Sequence, residues 1–326
     1  MPEHISAIPY IETEQRARHR TRIAEKLNAR RMFREKLANA QFLETENGVI
    51  KYVELRPDAP ESEIPIILLG GFGTDINSTK RAAKSLYNQN RTVILMEHPR
   101  VIERDNQPLA GIDGLQLQQA DNLNRVAEAT GHEKMDLVVQ SGAALYATAA
   151  VLREPDHFRS LVIESGAGLI GQDATKELMK RFTKDAIGPR YLKNPGQATR
   201  YMGGLARHIK RQGIKNSLNE VSSIASSQID EALIAVRQSG VKVAVITTNA
   251  DSVFGPERVN DRVMNMETGY TRDNVDAYSV VADKRARHGA ILFDEVGVRV
   301  ALNHIRQFEI EALSKNAQNA NEVVLV

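Results

Sequence analysis

The chain has 326 residues, 42% of them hydrophobic and 26% charged, and a formal net charge of +2 at pH 7. That balance is ordinary for a globular protein and supplies no overall field for a polyanion, so nucleic acid is not an expected partner. Cysteine and tryptophan are both absent; the lack of cysteine excludes disulfides, thiolate metal sites and a cysteine nucleophile.

The N-terminal stretch "MPEHISAIPYIETEQ" has no apolar core of signal-peptide length, and no stretch approaches the roughly 18 apolar residues of a membrane span. A cytoplasmic protein without a transmembrane segment is the expectation. Residues 11–40 contain neither Gly nor Pro, and Ile23, Leu27, Phe33 and Leu37 trace a partial apolar stripe, which predicts a helix. Lys and Arg dominate its remaining surface. Interspersed glutamates and the lack of an aromatic stacking platform favour a solvated helix with one thin packed face over a nucleic-acid arm. Residues 1–41 therefore form a basic helical extension in this reading. Its candidate roles are covering a sheet edge, forming a homodimer and touching a membrane surface.

Asn47-Gly48 signals a hairpin, with Phe42-Leu43 and Val49 to Leu55 as its strands. Ile64 to Leu69, "TVILME" (92–97), "MDLVVQ" (135–140) and "SLVIES" (160–165) are largely apolar runs, as strands covered on both faces are. Helical patterns separate them, around Leu115 to Thr130 and in "AALYATAAVLRE" (143–154). "VKVAVITTN" (241–249) and "VDAYSVVA" (275–282) add two strands, and "EVGVRVALNHIRQFEIEAL" (295–313) closes with a helix. This alternation predicts an α/β fold, a mostly parallel sheet led by an antiparallel hairpin. Leu169 to Ser239 breaks the rhythm: it reads as helices interrupted at Gly188-Pro189, Pro195-Gly196 and Gly203-Gly204, with 12 Lys/Arg against 6 Asp/Glu. The expected organisation is a core over 42–168 and 240–314, a helical cap over 169–239 and a tail over 315–326. The positive excess of the cap hints at an acidic substrate or an anionic surface.

Ser141 stands where the strand "MDLVVQ" turns into the helix "AALYATAAVLRE". That is the setting of a nucleophile elbow: a sharp turn lifts the hydroxyl above the sheet, over the free amides of a helix start. The turn needs small residues two positions either side. Ala143 meets this on the far side; Val139, which is β-branched, does not on the near side. A serine nucleophile needs a base, and the base an orienting acid. Asp251 follows the strand "VKVAVITT", and His288 follows the last strand with Gly289 beside it. All three lie beyond carboxyl ends of strands, where open α/β sheets place their ligand sites, and they come in the order serine, acid, histidine.

From about Phe42 to Leu313 the chain resembles the α/β-hydrolase superfamily. "FLETENGVIKYVELRPDAPESEIPIILLGGFGT" resembles its opening hairpin and third strand, and "LMEHPR" the turn after the next strand. "LVVQSGAALYA" resembles the elbow, "SLVIESGAG" the strand that follows it, and "ITTNADSVFGPERV" and "RHGAILFDE" the acid and histidine segments. The resemblance implies a sheet of the α/β-hydrolase type with an inserted helical lid. It makes Ser141 the nucleophile, His288 the general base and then acid, and Asp251 its orienter. The backbone amides of Phe72 and Gly142 become the oxyanion hole, with Gly71 and Gln140 as binding candidates beside it. The implied activity is hydrolysis of an ester, amide or thioester of a small molecule, with no cofactor. Val139 at the elbow, and Gly70 where the family usually has histidine, keep a second reading open: a non-catalytic member that binds a ligand or partner.

"IPIILLGGFGTDINSTKRAAKSLYNQNRTVILME" also has the strand, glycine loop, helix and strand order of a dinucleotide site, but Ile76 replaces the third glycine and a hairpin precedes the unit. Neither a P-loop nor a metal-ligand spacing occurs. Ser165, in "IESGAG", is a rival strand-end serine with no helix directly behind it.

Overall fold

The computed structural model describes residues 19, 31–46, 48–99, 108–187, 195–264, 271–282, 288 and 295–323. Of the features expected from sequence, Asn47, Arg100, Gly188-Pro189, residues 289–294 and most of the N-terminal helix lie outside these. Residues 31–38 are helical (α1). Phe33 of α1 is buried with the layer containing Val53 and Leu55 and meets the Tyr87 ring edge-on, so an apolar face does pack on the body.

Eight strands form one sheet: β1 Gln41–Thr45, β2 Gly48–Leu55, β3 Ile66–Leu69, β4 Val93–Glu97, β5 Met135–Gln140, β6 Phe158–Glu164, β7 Lys242–Thr248 and β8 Ala277–Val281. Their order is β1-β2-β4-β3-β5-β6-β7-β8. β1 pairs antiparallel with β2, and β2 with β4; the remaining pairs are parallel.

The apolar runs are explained by burial on both faces. Side chains alternate along a strand, so Ile67, Leu69, Leu137, Val139, Leu161 and Ile163 enter one core layer. Their neighbours Ile66, Leu68, Val138, Val162, Ala244 and Ile246 enter the other. The first layer is closed by α3 (Gly114–Thr130), α4 (Ala143–Arg153), α8 (Asp230–Gln238) and α9 (Pro256–Val263). The second is closed by α1, α2 (Ile76–Tyr87) and α10 (Glu295–Val323). α8 falls within the interval read as cap, yet Ala232, Leu233 and Val236 are buried in the sheet's own core. The closing helix runs on to Val323, so the stretch after Leu313 that reads as a tail is helical over 315–323.

From β3 the chain winds outward to β4, then crosses back to β5 on the other side of β3. The loops leaving β3 and β5 therefore part in opposite directions, which opens a crevice at their carboxyl ends. Over that crevice lie α5 (Thr175–Ile187), α6 (Pro195–Gln212) and α7 (Ile214–Ser226). Gly204 of α6 approaches the Gly73 carbonyl so closely that an added Cβ would come within 2.7 Å of it. At the opposite, amino end, fully buried Arg91 and Asp136 join Arg159 and Glu309 in one ionic cluster, with Arg91 donating to both Glu309 oxygens at 2.8 and 3.2 Å. This cluster fastens α10 beneath the strands that carry the crevice.

Candidate active site

Ser141 sits in the first residue after β5, with φ +56°. A non-glycine residue held in the left-handed region stores roughly 1–3 kcal/mol and persists only where its surroundings fix it. Here the Ser141 amide donates to the Glu164 carbonyl (3.1 Å), and the Ser141 carbonyl accepts from the amides of Ala144 (3.1 Å) and Ala167 (3.0 Å). Val139 is fully buried in the first core layer. Its branched side chain thus fills core space on the near side of the turn.

The three residues expected from sequence meet. His288 Nε2 lies 2.8 Å from Ser141 Oγ, and His288 Nδ1 lies 3.1 Å from Asp251 Oδ2. The other Asp251 oxygen accepts from the amides of Val253 (2.8 Å) and Phe254 (3.1 Å). Burial pushes the Asp251 carboxyl up, but the imidazole and these two amides outweigh it and hold the group below its usual range. All three side chains are almost completely shielded, and the rings of Phe254 (4.9 Å) and Phe182 (5.4 Å) meet the imidazole edge-on. Gly289, expected to ease the approach of this segment, lies outside the described residues.

Gly71 and Gly142 make this closeness feasible. A Cβ on Gly71 would come 2.5 Å from Ser141 Cβ and 2.9 Å from the Gln140 carbonyl. A Cβ on Gly142 would lie 2.9 Å from Ile224 Cδ1 and 3.8 Å from the Phe72 nitrogen. The Phe72 amide and the start of α4 therefore lie side by side next to Ser141.

Gln140 does more than its sequence position indicates. Its Oε1 accepts from the Gly71 amide (3.1 Å), while its Nε2 donates to the His288 carbonyl (2.9 Å). One buried carboxamide thus joins the loop after β3 to the histidine segment. Sequence reasoning missed this bridge, and missed Phe182 and Phe254 around the imidazole. The sole signal was a polar residue directly before Ser141 at the end of an apolar strand.

Other expectations resolve locally. α2 starts after Asp75, whose carboxylate accepts from the Ser78 amide (2.8 Å), and the Glu97 carboxylate accepts from the Ile76 amide (3.1 Å). Two carboxylates hold that helix start, so it offers no pyrophosphate site. Ser165 is fully buried with φ +46°, and its hydroxyl has no hydrogen-bond partner among the described residues. Among the described residues there is no group of three or more side chains suited to hold a metal, and no helix long and apolar enough to cross a membrane.

No profile of a known protein family matches the sequence, and a search of curated proteins found no relative. Solved structures do match. A carboxylesterase structure from the ammonia-oxidizing Thaumarchaeon Nitrososphaera gargenis is 16% identical, with a TM-score of 0.59 over 83% of this chain and 100% of that one. A thermophilic esterase from Thermogutta terrifontis is 16% identical, with a TM-score of 0.58 over 84% and 98%. An alpha/beta hydrolase enzyme from a Medee basin deep-sea metagenome library is 12% identical, with a TM-score of 0.58 over 81% and 96%. Likeness at such identities speaks for architecture alone. The chain has the α/β-hydrolase fold.

Proposed function

We propose that this protein is a serine hydrolase that cleaves a carboxylic ester, amide or thioester through a covalent acyl-enzyme. The observation that carries this reading is the unbroken relay from Ser141 Oγ through His288 to Asp251, at 2.8 and 3.1 Å. His288 takes the Ser141 proton as Oγ bonds to the substrate carbonyl carbon, and Asp251 stabilises the imidazolium that forms. The carbonyl oxygen becomes an oxyanion held by the Phe72 and Gly142 amides, each such donor contributing about 10²–10³ in rate. The bond to the leaving group breaks, and that group departs with the proton from His288. Water then repeats the sequence: His288 takes one proton from it, its oxygen bonds to the acyl carbon, the bond from that carbon to Ser141 Oγ breaks to release the acid, and Oγ recovers a proton from His288. No cofactor enters. α5, α6 and α7 act as a lid that shields these steps from solvent.

The alternative, a non-catalytic member that binds a ligand or partner, draws on Val139 and Gly70; Val139 is accommodated at the turn by full burial in the core. A panel of esters, thioesters and amides tests the assignment. Wild-type protein is expected to hydrolyse at least one class, and Ser141→Ala and His288→Ala to lose about 10⁴-fold or more. Equal activity in Ser141→Ala would overturn it.

A further inference from the structure

Two cavities of opposite character meet at Phe72. One is an apolar groove of about 290 Å³ under α5, α6 and α7, walled by Phe72, Phe182, Leu205 and Val221. Exposed Met202, Ile214 and Leu218 form part of its walls. The other is a polar chamber of about 40 Å³ on the far side of Phe72, against Gly71, Gly142 and Ala143. A buried water needs roughly 10–15 Å³ of such space, so the chamber holds about three waters or a group of two or three heavy atoms.

The chamber walls carry polar atoms that are shut off from solvent and unmatched. Both ring nitrogens of His98 and Nε of Arg211 have no hydrogen-bond partner among the described residues. His208 Nε2 and Glu220 Oε2 face each other at 2.8 Å. Burial, with the nearby Arg211 charge second, pushes His98 down to about 3, so its ring is neutral and offers one donor and one acceptor. Whatever displaces water from here must replace its hydrogen bonds, since each buried group left unpaired costs about 1–3 kcal/mol. An alkyl chain cannot do so. A carboxylate is also poorly served. The chamber's carboxylates Asp75, Glu97 and Glu220 already engage Arg207, Arg211 and His208. The best match is a short, neutral group that both donates and accepts.

The two cavities sort the halves of the substrate. The leaving group must receive its proton from His288, and Phe182 both packs on that ring and walls the apolar groove. The chamber instead adjoins Gly142 and the start of α4, on the side left for the acyl group. From these observations, and resting on the hydrolase reading above, we infer that the substrate is an ester of a short hydroxy acid with an apolar alcohol: the hydroxyl-bearing acyl group enters the chamber and the alcohol lies in the groove. An acidic acyl group, at which the cap's positive charge hints, does not fit the chamber walls.

Three hexyl esters that differ only in the acyl group test this: hexyl glycolate, hexyl propanoate and the monoanionic monohexyl malonate. Glycolate and propanoate have equal numbers of heavy atoms, so the comparison isolates the hydroxyl. Wild-type kcat/KM is expected to be at least about 10-fold higher for the glycolate than for either other ester. In His98→Leu the glycolate-to-propanoate ratio is expected to fall toward 1, and His98→Asn, which keeps a donor and an acceptor, to retain part of it. Hydrolysis with no preference, or with propanoate or malonate preferred, overturns the hydroxy-acid inference while the hydrolase reading stands. If no ester is hydrolysed, thermal stabilisation of Ser141→Ala by the same three compounds decides. Selective stabilisation by hexyl glycolate keeps the chamber assignment and removes the hydrolase reading; equal or absent stabilisation overturns both.

Discussion

Gln140 shows how one side chain holds two loops that are distant in sequence. Its carboxamide accepts from Gly71 and donates to the His288 carbonyl, 69 and 148 residues away. Gln140→Leu keeps comparable bulk but removes both bonds, freeing the loop after β3 and His288 to drift apart. The expected outcome is a 10- to 100-fold lower kcat with KM changed less than about 3-fold, since misplacement acts on the transition state. Steady-state kinetics on variant protein of unchanged circular dichroism checks this; a loss confined to KM would contradict it. Glu164, the strand neighbour of Gln140, poses a different problem. It is buried with neither carboxyl oxygen hydrogen-bonded among the described residues, and burial raises it from 4.5 to about 8. The folded chain therefore keeps a proton that the unfolded chain releases above about pH 4.5. The stability linked to this group is complete below that pH and is lost as the pH rises through about 8, an effect of about 5 kcal/mol at most. Glu164→Gln is expected to flatten the decline in unfolding free energy between pH 5 and 9, measured by urea denaturation. Parallel declines in the two proteins would refute the assignment.

Among the elements, β3, β5, β6 and β7 were legible in the sequence because burial on both faces leaves few places for polar side chains. The hairpin was legible because a two-residue turn signal joins its strands. Less was visible where packing partners decide. α8 reads like the helices of the cap, and only its packing on α4 and β7 shows that its apolar face belongs to the sheet's core. The polar end of α10 continues a helix whose buried part lies earlier in the chain. Ser141, Asp251 and His288 could be proposed from their places at three strand ends, whereas the Gln140 bridge needs loops whose meeting no local pattern encodes. The same holds for Arg91, an unremarkable residue in sequence that is fully buried between Asp136 and Glu309. Arg91→Met removes one of the two cations shared by Asp136 and Glu309 and leaves Arg159 alone between them. Breaking a buried pair in this way costs about 3–5 kcal/mol, and a Tm lowered by several degrees in calorimetry is the expected outcome. A change under 1 kcal/mol would mean that Arg159 alone carries the cluster. Burial pushes Glu309 up, but Arg91 and Arg159 pull it down to about 2. Its share of stability is therefore present above its usual 4.5 and is lost as the pH falls toward 2.

At the scale of the molecule, the ionic cluster at the amino end of the sheet and the crevice at the carboxyl end have separate tasks. The cluster fixes the strands; the crossing of the chain at β3 opens the crevice; α5, α6 and α7 cover it. Ser141 is 2% exposed, and Phe182 of α5 packs against the His288 ring beside it. The account stands on His288 drawing the proton from the Ser141 hydroxyl, and covalent capture reads that most directly. Protein treated with a fluorophosphonate, digested and analysed by mass spectrometry is expected to carry one adduct, on the Ser141 peptide, formed much more slowly in His288→Ala and absent in Ser141→Ala. Folded wild-type protein that stays unmodified after long exposure, or that carries the adduct on another serine such as Ser165, would contradict it.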